Sequence, residues 1–329
     1  MSTRIRSEKS ISEQLSSYFL DPFNHPYNDF VDTFSSEIAE EVFAHLYKSK
    51  KSELTYRQLI PRQKMSFGNT SKYVFRLYDG YEIETVCIGR RTGRTVCIST
   101  QVGCSVRCRF CKSGGKGFFR NLTASEIVQQ VLFIDEEVNR IVFMGIGEPL
   151  NNYEEVIKSI HILRDRKGLN FATDGITIST VGPIGKLQLL REEHIKIQLT
   201  VSLHATDQET RDFLVPGMSD YPINEIISST MEYGRRHKRK VTFAYLLLPG
   251  INTKSSDIMK LCQWFSGKNV VLNLMKYNGE QAKDMRTVST REIQQIKRIL
   301  EDQNVQVTIR DSMGESINAA CGQLVAKKI

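Results

Sequence analysis

The chain has 329 residues, 40% of them hydrophobic and 25% charged, with seven cysteines and a formal net charge of +8. That length and balance suit one large globular domain or two. They exclude a membrane protein, because no apolar run approaches the length of a spanning helix, and Met1 to Lys9 is polar with no signal-peptide core. A disulfide framework is also excluded by the odd cysteine count and the crowding of three cysteines, so a cytoplasmic protein with reduced, metal-binding or reactive thiols is expected. The positive balance favours a polyanionic partner, a weak signal by itself.

Residues 1 to about 65 read as helical and polar, with Ser10-Ile11-Ser12-Glu13 and Ser35-Ser36-Glu37-Ile38 resembling helix starts. Lys72 to Ile88 reads as a β-hairpin, because Asp79-Gly80 separates two alternating runs. A strand over Arg94–Thr100 follows the basic turn Arg90-Arg91-Thr92-Gly93-Arg94. Strands are then expected at Arg140–Met144, Gly175–Thr180, Ile195–Leu203, Lys240–Leu247 and Val270–Tyr277. Helices such as Thr123–Glu137, Tyr153–Arg166 and Ile223–His237 fall between them. This alternation predicts an α/β fold of parallel strands with helical crossovers, closed fully or partly into a barrel. The division expected is an N-terminal helical accessory region at 1–70, a hairpin and strand extension at 71–100, and a core at 101–329 that ends in a tail. Chemistry in such barrels sits at the C-terminal ends of the strands. Gly147-Glu148-Pro149, Ser179-Thr180, Ser202-Leu203-His204 and Asn278 all fall there.

Cys104, Cys108 and Cys111 follow the spacing Cys-x3-Cys-x2-Cys, with a glycine-rich stretch after them and no fourth cysteine nearby. A cubane iron–sulfur cluster takes four thiolates. Three leave one iron open to chelate a small molecule, which is how radical S-adenosylmethionine (SAM) enzymes hold their cofactor. The competing reading is a structural zinc site, which wants a closed set of four ligands, and this chain has no second Cys or His pair. A coincidental cluster of core cysteines is the third. Gly147-Glu148 after an apolar strand would let backbone approach a ligand and a carboxylate accept from its ammonium group, although a plain strand-to-helix turn also uses Gly and Pro. His204 taken alone reads as a satisfied core histidine. The run Arg235 to Lys240 is more often a solvated helix end than an RNA contact, and Arg90, Arg91 and Arg94 are the better phosphate candidates.

With these residues in view, the chain resembles the radical SAM RNA methyltransferases that act on an adenine base. These are the 23S ribosomal RNA and tRNA adenine C2-methyltransferases and the related C8-methyltransferases of antibiotic resistance. The matching segments are Ile83 to Val86, Val102 to Cys111, Gly117 to Thr123, Met144 to Leu150, Ser202 to Ala205 and Ala319 to Leu324, in the family's order. The resemblance implies a partial (β/α)6 barrel with a small N-terminal helical region and a β-hairpin extension. It implies one [4Fe-4S] cluster on Cys104, Cys108 and Cys111, with SAM, two per turnover, held by Gly147, Glu148, Ser179, Ser202, Leu203, His204 and Asn278. Cys321 would be the methyl carrier and Cys97 the thiol that releases product by forming a disulfide with it. Glu84 would accept a proton, and Cys87 and Cys262 would be structural. The implied partners are ribosomal RNA, tRNA or both, and an electron donor such as flavodoxin or ferredoxin, acting on a monomer. Lys112-Ser113 after the cluster, Asn278-Gly279-Glu280-Gln281, and the segment up to about residue 80 depart from the family pattern. Two other classes stand beside this one: a radical SAM enzyme acting on a protein or small molecule, and a zinc-stabilised RNA-binding module.

Overall fold

A computed structural model describes residues 21–48, 59–279 and 285–328, so the helix start expected at Ser10–Glu13 and the pair Glu280-Gln281 lie outside the described residues. Helices Tyr27–Thr33 and Ser36–Lys48 come first. They are held to the body by an edge-on ring cluster in which Phe23 meets Tyr47 and Phe133, and Phe43 meets Phe30 and Tyr47.

Strand β1 (Pro61–Phe67) then pairs antiparallel with β2 (Thr70–Arg76), where the sequence had suggested helix as far as about residue 65. The cause is its position at the sheet edge. Most of its side chains face water, so no apolar alternation betrays it, and proline is tolerated as its first residue. The expected hairpin follows, with β3 (Tyr81–Arg90) antiparallel to β2, and β4 (Gly93–Cys97) antiparallel to β3. Strand β4, which the sequence assigned to the extension, is also hydrogen-bonded parallel to β7 (Arg140–Phe143) and so opens the core.

From β4 onward the neighbours in space follow the order of the chain. Strands β8 (Ile176–Thr180), β9 (Gln198–Ser202), β10 (Val241–Leu246), β11 (Val270–Met275) and β12 (Val307–Arg310) add in parallel register. Helices cross over between them, among them Ala124–Leu132, Tyr153–Arg164, Ile184–Glu192, Ile223–His237, Ser255–Phe265 and Thr290–Asp302. The result is six β/α units and a final strand. No ladder joins β12 to β4 among the described residues, so the barrel is partial and open. Several core strands are covered on both sides, which is why Val241–Leu246 reads as a nearly continuous apolar run. Helix Ile223–His237 stops where Lys238 takes a left-handed conformation, and the basic run spends part of its charge locally, Arg239 pairing with Asp174 and Arg235 with Glu232. No helix among the described residues is long and apolar enough to cross a membrane.

Candidate active site and cofactor cavity

A two-stranded sheet, β5 (Gln101–Gly103) with β6 (Phe118–Asn121), brackets the loop that carries the three cysteines. Gly103 has φ +78, and a Cβ there would lie 1.9 Å from the Gly117 carbonyl oxygen, so only glycine closes this neck. The Arg120-Asn121-Leu122-Thr123 run anchors it. Thr123 accepts from Glu126 N at 3.2 Å while Glu126 accepts from Thr123 N at 3.0 Å, and Arg120 forks onto both oxygens of the same carboxylate at 2.8 Å.

Cys104, Cys108 and Cys111 all line one cavity of about 160 Å³. Burial pushes the Cys104 thiol up to about 12 and the Cys108 thiol well above its ordinary value, and the neighbouring cysteines and Glu148 push the same way. Thiolates at Cys104 and Cys108 are therefore stable only if cationic iron or another metal binds them. Among the described residues no three His, Cys, Asp or Glu side chains close round a point suited to one metal ion. Three thiols are the protein's share of a [4Fe-4S] cluster with one open iron, whereas a closed zinc site takes four ligands.

Beyond the cysteines the wall is built from strand ends. Gly147, just after β7, has φ +107, and a Cβ would lie 2.6 Å from Gln101 Cβ. The Gln101 side chain accepts from Glu148 N at 2.9 Å and fixes the turn. The Glu148 carboxylate accepts from Thr180 Oγ1 at 2.5 Å, Val181 N at 2.8 Å and Leu150 N at 3.0 Å. Burial outweighs these bonds and raises its pKa to about 7. Ser179, Ser202 and His204 line the same wall. His204 sits at φ 60, and its Nδ1 accepts from Leu246 N at 3.0 Å, so Nε2 carries the proton as a donor. Burial lowers its pKa to about 3 and keeps the ring neutral. The Leu203 side chain is buried in the core, because alternation along the strand turns it away from Ser202 and His204, and this leaves its backbone to face the cofactor wall.

A second lobe joins the first through Met144, Met275, Asn278, Arg310 and Cys321, which line both. Cys97 lines this second lobe. Cross-strand register explains why Cys97 and not Cys87 faces it. Val86 stands opposite Cys97, and Cys87, one residue on, points to the other face of β3. Burial first, then the nearby Cys321, pushes the Cys97 thiol up to about 12. Cys262 lies in helix Ser255–Phe265 on a separate open groove that holds none of the expected site residues.

The tail that carries Cys321 is tied down along its length. Asn278 donates from Nδ2 to the Cys321 carbonyl oxygen at 3.4 Å and accepts from Ser312 Oγ at 2.6 Å. Lys112 N donates to Gly322 O at 2.8 Å, and Ser113 Oγ to Leu324 O at 2.7 Å. The Lys112 backbone and the Ser113 hydroxyl thus anchor the tail. Glu84 stands off the lining of both lobes, with one oxygen accepting from Lys72 Nζ at 3.0 Å and the other from Val325 N at 2.9 Å.

Arg211 escaped the sequence reading altogether. It is fully buried, donating from Nη1 to Ser202 O at 3.0 Å and to Leu203 O, and from Nη2 to Val181 O at 2.7 Å. It thereby ties together the ends of β8 and β9. Nothing in its helical neighbourhood, Asp207 to Leu214, marks an arginine as buried.

Residues 98–262 match the radical SAM superfamily. A probable RNA methyltransferase of Rhodopseudomonas palustris is 44% identical over 319 residues, 89% of each chain. The dual-specificity RNA methyltransferase RlmN of Desulfotalea psychrophila is 40% identical over 77% of this chain and 74% of its own. The crystal structure of a radical SAM methyltransferase from Sphaerobacter thermophilus superposes with a TM-score of 0.86 at 32% identity, over 92% of this chain and 98% of that one. With a three-cysteine loop at the C-terminal end of an open β/α barrel, the chain belongs to the radical SAM superfamily and, within it, to the RNA methyltransferase family of these relatives.

Proposed function

We infer that the chain methylates an adenine carbon of RNA, C2 or C8, in 23S ribosomal RNA, tRNA or both, with Cys321 as the group that carries the methyl. The observation that supports this most is the station of Cys321, between a lobe holding Cys104, Cys108 and Cys111 and a lobe holding Cys97. The three cysteines would hold the cluster, and Gly147, Glu148, Ser179, Ser202, Leu203, His204 and Asn278 would hold SAM. When bound, the cluster supplies an electron and SAM supplies both the methyl group and a radical able to abstract hydrogen from it. An adenine C2 or C8 carbon is no nucleophile, so a methyl group must reach it through a reactive carrier on the protein.

The chain's own residues then have separable duties. The Cys321 thiolate takes up the methyl as a thioether, thiolate being the protein's natural nucleophile for an electrophilic methyl. Cys97, held protonated by burial until it reacts, would attack the Cys321 sulfur of the methylene-linked protein–RNA adduct. The S–S bond forms as the S–C bond breaks, and the electron pair of the S–C bond passes to the product carbon, which takes up a proton to become the methyl group. Target adenines would be unstacked or in loops, since a base in a duplex cannot enter the cavity. The N-terminal helices and the β1–β3 layer are read as the part that selects the RNA, with Arg90 of β3, which lines the Cys97 lobe, as one phosphate contact. A cytoplasmic monomer supplied by a donor such as flavodoxin or ferredoxin completes the reading. Mass spectrometry of nucleosides from RNA incubated with the anaerobically reconstituted protein tests it. Methyladenine is expected from the wild type, and a covalent protein–RNA adduct from Cys97→Ala. Free methylated RNA from Cys97→Ala at the wild-type rate would sink the assignment.

A further inference from the structure

We propose that Phe67 and the hollow beside it receive the nucleotide next to the target adenine, with the ring stacking on that neighbour's base. The inference rests on the reading of this chain as an RNA methyltransferase.

Local structure sets the ring in place. Phe67 ends β1, and the turn into β2 runs through Gly68 at φ +55, a left-handed conformation that glycine takes without strain. The ring is 64% exposed, and a Cβ on Gly68 would meet nothing within 4 Å, so the tip of this hairpin projects into open space. The tip is nonetheless fixed. Gly89 N donates to Asn69 O at 2.7 Å, and Gly314, at φ +78, lets the tail pass so close that a Cβ there would lie 2.8 Å from Thr70 Cγ2. Folding gains little from a ring left this exposed, so its use lies in what settles on it.

The hollow opens beside the lobe that holds Cys97. Phe67 and Asn69 form one side of a space of about 550 Å³, and Ser312, Met313, Glu315 and Ser316 of the tail form the other. Ser312 and Met313 also line the lobe with Cys97 and Cys321, so lobe and hollow share a wall. An adenine drawn out of its stack into the lobe leaves the next base without a stacking partner, and the RNA backbone keeps that base within one nucleotide of the lobe. An aromatic face just outside replaces the lost partner.

Charge selects a base as the occupant. Among the described residues no Lys or Arg lines the hollow and Glu315 does, so phosphate is repelled there. What the hollow offers is an aromatic face, the Met313 thioether and a rim of hydroxyl, amide and carboxylate groups. These suit the flat face and the amino edge of a base. Phosphate has its own partner in Arg90, on the wall of the lobe.

The test uses the reconstituted full chain and a synthetic RNA hairpin around the adenine that the wild type methylates. Phe67→Ala should raise KM for this RNA by about tenfold and leave kcat within about twofold, since the stacking is lost alike from the bound RNA and from the transition state. Phe67→Trp keeps a stacking face and should stay within about threefold of the wild-type KM. The hairpin is then made with an abasic residue on the 5′ or on the 3′ side of the adenine. With the wild type, one of the two should raise KM about as much as Phe67→Ala does. With Phe67→Ala that same RNA should show no further loss, because ring and base are partners in one interaction. Fluorescence anisotropy of the hairpins on the protein without cluster should follow the same pattern, independently of catalysis. A wild-type KM and affinity in Phe67→Ala would overturn the proposal. So would losses that multiply with both abasic RNAs, since ring and neighbouring base would then act apart. Failure of the function reading appears separately, as a wild-type protein that methylates no RNA, and it would end the proposal as well.

Discussion

Replacing Arg211 by methionine tests whether the cavity wall is held together from within. The guanidinium is fully buried with no carboxylate in contact, and its hydrogen bonds all go to the Val181, Ser202 and Leu203 carbonyls. Burial lowers its pKa to about 10, so it stays charged at neutral pH. Each bond from a charged donor contributes about 1.5–3 kcal/mol, and removing the buried charge returns several kcal/mol of desolvation. The net loss for Arg211→Met comes to about 3 kcal/mol. In a chain of 329 residues that lowers Tm by roughly 4 °C. The carbonyls belong to residues beside Ser179, His204 and the Glu148 partner Val181, so binding of S-adenosylhomocysteine to the reconstituted protein should weaken by about tenfold or more. Lysine should recover less than half of either loss, because a point charge cannot serve three carbonyls in the plane of a fork. Scanning calorimetry and anaerobic equilibrium dialysis read the two effects. An Arg211→Met protein that melts within about 2 °C of wild type and binds the ligand equally well would refute the reasoning.

The raised pKa of Glu148 carries its own pH signature. The folded carboxyl titrates at about 7 and the ordinary one at 4.5, so the native state binds more protons between those values, and stability falls as pH rises through that window, by about 3 kcal/mol in all. Denaturant midpoints for Glu148→Gln should therefore stay level from pH 5 to 7 where those of the wild type decline, and parallel declines would contradict the burial argument. Gly103→Ala should fold its barrel yet take up less than about half the wild-type iron on reconstitution, because the added Cβ would meet the Gly117 carbonyl at 1.9 Å and open the cysteine loop. Full iron loading in that variant would show that the neck of the loop does not set the spacing of the cysteines.

The parts legible in the sequence were those written in local pattern. Apolar runs bounded by turns placed β7 to β11, Asp79-Gly80 placed the β2–β3 turn, and helix Ile223–His237 was read to the residue. The triad spacing and its position at strand ends located the cavity. Contacts made by residues far apart in the chain were not legible. Lys72 looks like an ordinary outward side chain of a hairpin until the tail folds over it, and that meeting spans 246 residues. Glu84 has the same history, its bond from the amide of Val325 spanning 241 residues. Strand β1 was missed because an exposed edge needs no apolar alternation.

The account turns on the thiol of Cys321 receiving a methyl group. The direct measurement is peptide mass spectrometry of the anaerobically reconstituted protein after exposure to SAM labelled in its methyl group, without RNA. One labelled methyl on the peptide that contains Cys321, and on no other, is the predicted result. Label on a different residue, or none at Cys321 in a protein that still cleaves SAM, would contradict it.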